Sequence, residues 1–93
     1  MDMERAWLLI RAESDVAKGL VDEISVIRGV RLIDLARGQF ALIVAIALPD
    51  RDRLTRIVDG IRQMQGVEQV LVCDVIASHR IRIKTRDVDP DWP

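Results

Sequence analysis

The chain states one structural phrase twice. An apolar, strand-like run, an amphipathic helix closed by Gly-Val and a second strand occur in each half. The first copy runs from Trp7 through Ser14 to Ile27, with Gly29-Val30 opening the next strand. The second runs from Phe40 through Asp50 to Met64, with Gly66-Val67 opening the last. Gly29 and Gly66 stand 37 positions apart, the period of one β-α-β unit. Two such units in tandem predict an α+β, ferredoxin-like β-α-β-β-α-β sandwich. Two helices cover one face of a four-stranded sheet, and these strands are too apolar to leave the other face wet.

Each element can be read from its spacing. Ala6 to Ala12 is expected as a first strand, with Trp7 and Leu9 on one face, Leu8 and Ile10 on the other, and both faces apolar. Ser14 is the expected N-cap of a helix carrying Val16, Leu20, Ile24 and Ile27, with Asp15 in its first turn. Val30 to Arg37 is a less apolar strand, expected at an edge, and Gly38-Gln39 is a tight hairpin connection. Phe40 to Leu48 carries large residues at even positions and mostly alanines at odd ones, the pattern of a central strand. Asp50 caps a second helix bearing Leu54, Ile57, Val58, Ile61 and Met64, and Val67 to Ile76 is the fourth strand. His79 to Arg86 alternates basic and apolar residues, as a short, half-exposed fifth strand does. Residues 1–86 thus make one domain, and 87–93, acidic and broken by prolines, a tail.

Exposure of a whole apolar sheet face sets the expected assembly. Such a face is near or above the largest apolar patch usual on a monomer. At about 25 cal/mol per Å², covering it is worth on the order of ten kcal/mol before the costs of association. A homodimer packed face to face, of the dimeric α+β barrel type, is the economical solution, with a higher homo-oligomer beyond it.

Chemistry is sparse. Fifteen acidic residues balance fourteen basic ones, so no global charge recruits nucleic acid or a membrane surface. One cysteine makes no internal disulfide, no signal core or membrane-length apolar run is present, and the reading is a cytoplasmic protein. His79 and Cys73 lie about 20 Å apart along an extended strand, too far to act together on a metal or a substrate. Cys73 is read as a small core residue and His79 as a solvated one. The glycines never cluster into a phosphate loop. No cofactor, metal or enzymatic activity is expected. Asp34 and Asp74 interrupt apolar strands and call for an arginine or backbone partner, with an inter-strand or intersubunit salt bridge expected ahead of ligand recognition. Trp7 is placed in the core or an interface.

Several short stretches resemble one family. They are Trp7-Leu8-Leu9-Ile10-Arg11-Ala12, Ile27-Arg28-Gly29-Val30, Gly38-Gln39-Phe40-Ala41, Leu48-Pro49-Asp50 leading to Leu54, and Gly66-Val67-Glu68. From Trp7 to Ile76 the chain resembles the ligand-binding (RAM) domain of the Lrp/AsnC family of amino-acid-responsive transcription regulators. The resemblance implies a small-molecule-sensing or regulatory oligomerisation module, with a ligand pocket between subunits near Gly38, Gln39, Phe40 and Ala41. Val70, Val72 and Asp74 would contribute from the last strand. About five residues precede the first strand, so a stand-alone version without the family's helix-turn-helix, and without direct nucleic-acid binding, is expected. The family's ligand loop reads Gly-x-Tyr-Asp; here the aromatic is Phe40 and the acid position is Ala41. Hydroxyl residues that follow Gly-Val-Glu in the family are replaced by Val70 and Val72. These changes favour a more apolar metabolite than an amino acid as effector, or none. The alternatives are a peptide-binding ferredoxin-like chaperone using the same sheet and a small dimeric α+β barrel enzyme using His79 or Asp74.

Overall fold

A computed structural model describes residues 2–81 and builds them in the expected order: β1 (Glu4–Ala12), α1 (Ser14–Ser25), β2 (Val30–Leu35), β3 (Leu42–Leu48), α2 (Arg51–Arg62) and β4 (Val67–Asp74). The strands form one antiparallel sheet in the order β2-β3-β1-β4, so the two most apolar strands are central. This is the ferredoxin-like α+β arrangement.

The alternation of β3 decides which face meets the helices. Its large even residues, Leu42, Val44, Ile46 and Leu48, join Ala6, Leu8 and Ile10 of β1 and Val70 of β4 in the core. Leu20 and Ile24 of α1 close over them, with Leu54, Val58 and Ile61 of α2. Full burial of each large aliphatic side chain contributes about 1.5–3 kcal/mol. The odd residues of β3 face the side that carries no helix.

Both helices leave the sheet through the same device. After α1, Ile27 N–H bonds the Ile24 carbonyl (3.0 Å) and Val30 N–H bonds the Ile27 carbonyl (3.2 Å). After α2, Met64 and Val67 repeat this with Ile61 (3.0 Å) and Met64 (3.2 Å). Gly29 and Gly66 sit at the same point of the two turns with φ of +102° and +92°. A Cβ at Gly29 would lie 2.6 Å from Leu48 Cδ2, and one at Gly66 2.5 Å from Val16 Cγ2. Left-handed geometry and close packing both require glycine at these two places.

Four expectations need correction. Ser14 is the first helical residue rather than the N-cap; Glu13 occupies that position in extended conformation and makes no side-chain cap. Asp50 does cap α2, accepting from the Arg53 N–H at 2.8 Å. The β2–β3 connection is a six-residue loop, 36–41, rather than a two-residue turn. It is closed below its tip because Ala36 N–H bonds the Ala41 carbonyl (2.8 Å) while Ala41 N–H is taken by Ile10 of β1 (2.9 Å). Cys73 is exposed rather than in the core, because it lies directly across from Trp7 on the helix-free face. His79 to Ile81 are exposed and not in a strand. The remainder of the expected fifth strand and the 87–93 tail lie outside the described residues.

Candidate ligand loop and open sheet face

The helix-free face is built from the odd positions of the central strands. Register places Leu32, Ala45, Trp7 and Cys73 in one row across all four strands, and Asp34, Ile43, Leu9 and Leu71 in the next. Trp7 is 39% exposed, Leu32 47% and Leu71 39%, whereas the residues on the helix side of the central strands are nearly all buried. Val75 and Ser78, just beyond β4, border the Trp7–Ala45 end of this face. Asp34 is exposed on this face and makes no ion pair among the described residues. Its carboxylate is exposed to solvent beside the apolar patch.

Gly38, Gln39, Phe40 and Ala41 form the loop at one end of this face. Gly38 has φ +124°, a left-handed conformation that lets the chain reverse above the Ala36–Ala41 closure. Phe40 is half-buried, and the Arg11 guanidinium carbon stands 5.7 Å from its ring centroid, within cation–π range. Arg11 pairs in register with Gln69 of β4. Arg11 and Gln69 therefore accompany the loop as polar groups that the sequence reading missed. The signal was present: the alternation that puts Trp7 and Leu9 on the open face carries Arg11 there too.

The three β4 candidates divide. Val70 lies in the same transverse row as Ile10 and Leu42, next to the loop, but its side chain is 3% exposed and points into the helix-side core. Val72 also faces the helices and packs at the margin of the core, beside Leu54, Thr55 and Val58 of α2. Asp74 pairs in register with Ala6, four residues along β1 from Ile10 and so about 13 Å from the loop. There it accepts two hydrogen bonds from Arg51 at the start of α2. The loop, Arg11 and Gln69 thus make one cluster, with Val70 behind it and Asp74 in a separate ion pair.

Among the described residues no three His, Cys, Asp or Glu side chains converge as a metal site, and no helix is long and apolar enough to cross a membrane.

No protein-family model matches the sequence, and no curated protein does. Solved structures do. TTHA0845 from Thermus thermophilus superposes with a TM-score of 0.77 at 22% identity, over 85% of this chain and 100% of that one. A hypothetical protein from Pyrococcus horikoshii, PHS023, gives 0.73 at 19% identity over 83% and 94%. E. coli AsnC gives 0.75 at 11% identity over 87% of this chain and 56% of its own. The likeness is one of fold. The match spans only about half of the E. coli AsnC chain.

Proposed function

We propose that this chain is a regulatory oligomerisation module that pairs through the helix-free face of its sheet and senses a small molecule between subunits. The reading rests on one observation above all. Trp7, Leu32 and Leu71 stand well exposed on two continuous rows that also hold Leu9, Ile43 and Ala45. A large exposed apolar face of this kind marks a site of association. A second copy covers it best, because face-to-face packing of twisted sheets matches like surfaces about a two-fold axis.

The shared fold of E. coli AsnC supports a RAM-like module. The Gly38–Ala41 loop, lying at the rim of the open face, would contribute to a pocket completed by the partner copy. Phe40 and the stem of Arg11 supply apolar contacts there, and Gln69 one polar contact. Such a lining suits a metabolite more apolar than an amino acid.

Native mass spectrometry of protein purified gently from its own host tests the reading. A dimer or larger assembly with bound extra mass supports it, and the mass characterises the effector. A monomer without added mass overturns it and leaves the open face to a peptide-binding chaperone.

A further inference from the structure

The far end of the sheet carries a second feature that the oligomerisation reading does not use. Where α1 hands over to β2, and where β3 ends above the first turns of α2, there is a groove of about 590 Å³. This is within the range of small-molecule sites. Its apolar floor includes Met3, Leu48, Pro49 and Ile57, and four arginines line it: Arg28, Arg31, Arg53 and Arg56. For a chain of net charge −1 that is a marked local excess of positive charge.

The four come from three separate elements. Arg53 and Arg56 lie three residues apart on α2, Arg28 precedes the left-handed Gly29, and Arg31 belongs to β2. Register explains the last. Val30 pairs with Ile46 and Leu32 with Ala45, so two steps on β2 match one on β3 and Arg31 is the extra residue of a β-bulge. A bulge re-aims the side chain it carries, and here Arg31 reaches the groove from the sheet edge. Among the described residues, Arg53 alone of the four has a carboxylate within ion-pair distance, Asp50 at 3.5 Å. Arg28, Arg31 and Arg56 have none among those residues.

From this we infer that the groove is a binding site for a phosphate or diphosphate ester with an apolar organic body. Three guanidinium groups without acidic partners exceed what one carboxylate can neutralise, and guanidinium pairs bidentately with phosphoryl oxygens. The floor takes the organic body, because apolar surface there is gained without opening the core. The site lies at the Leu48 end of β3, whereas the Gly38–Ala41 loop lies at the Leu42 end, about 20 Å away by strand rise.

The test titrates isotopically labelled protein with 1-naphthyl phosphate, inorganic pyrophosphate and 1-naphthol, following backbone amide shifts. Naphthyl phosphate is expected to shift Arg28, Gly29, Arg31, Leu48, Arg53 and Arg56, pyrophosphate the same arginines more weakly, and naphthol none of them. The double variant Arg31→Gln/Arg56→Gln, whose unperturbed spectrum would show an intact fold, should bind naphthyl phosphate about tenfold more weakly or worse. Arg80→Gln, outside the groove, should bind as the parent does. Binding of naphthol as tight as that of its phosphate, shifts centred on Trp7 and Leu71, an unaffected double variant, or no shift at millimolar ligand would each overturn the inference.

Discussion

Arg51 holds Asp74 at two points: Nη1 donates to Oδ1 at 2.6 Å and Nη2 to Oδ2 at 3.1 Å, tying the first turn of α2 to the end of β4. The hydrogen bond from Arg51 keeps the Asp74 carboxyl below its ordinary range, and Asp74 raises Arg51 in return. Both groups are about half exposed, so the pair acts as an orienting clamp more than as a source of stability. Among the described residues Asp34 has no such ion pair.

The clamp predicts a pH signature. A carboxyl depressed in the folded state stabilises the fold above its unfolded pKa and loses that contribution as pH falls through the folded value. Carboxyl-carbon NMR should show Asp74 titrating below the usual aspartate range, and Arg51→Gln should return it there. A normal Asp74 titration in the parent protein would refute the clamp in solution.

Glycine substitutions should split by position. Gly29→Ala forces a left-handed φ on alanine and drives Cβ to within 2.6 Å of Leu48 Cδ2 and 2.8 Å of the Ala47 carbonyl oxygen. Denaturant unfolding should show a loss of about 2–4 kcal/mol. Gly60→Ala lies inside α2 with open space around the new methyl and should stabilise by about 0.5–1 kcal/mol.

Core and face substitutions should differ in kind. Ile24→Ala removes a fully buried side chain from the helix–sheet core and should cost about 2–5 kcal/mol in the same measurement.

Trp7→Glu and Leu71→Glu leave that core untouched and place a carboxylate on the open face. Light scattering after gel filtration should report monomers, with dimerisation weakened about a hundredfold or more, while far-UV circular dichroism stays at the parent level. Unchanged assembly in both variants would move the interface elsewhere.

Much of this architecture is legible in the chain because periodicity carries it. The duplicated Gly-Val turns give the topology, the even and odd residues of β3 give the two faces, and Asp50 gives the α2 cap. Asp74 needed an arginine and has one. What stayed hidden depends on competition between nearby groups. Ser14 lost the cap position because the helix begins one residue earlier than its hydroxyl suggests. The β2–β3 turn widened because Ala41 bonds Ile10. Cys73 is open to solvent because its face, shared with Trp7, lacks a helix. At the candidate site the loop was legible as a motif. The inward turn of Val70 and the distance of Asp74 follow from strand pairing, which no local pattern specifies. The Arg31 bulge, likewise, exists only in the register between two strands.

The row Leu32–Ala45–Trp7–Cys73 gives the open face a relief as well as a polarity. Ala45 makes a notch between two bulky neighbours, and Ile43 stops it at one end. A flat greasy surface would let a partner slide or settle at many angles. A notched one favours the alignment in which a protruding side chain drops into the dip, so a single methyl-sized residue becomes the gauge of how two sheets can meet.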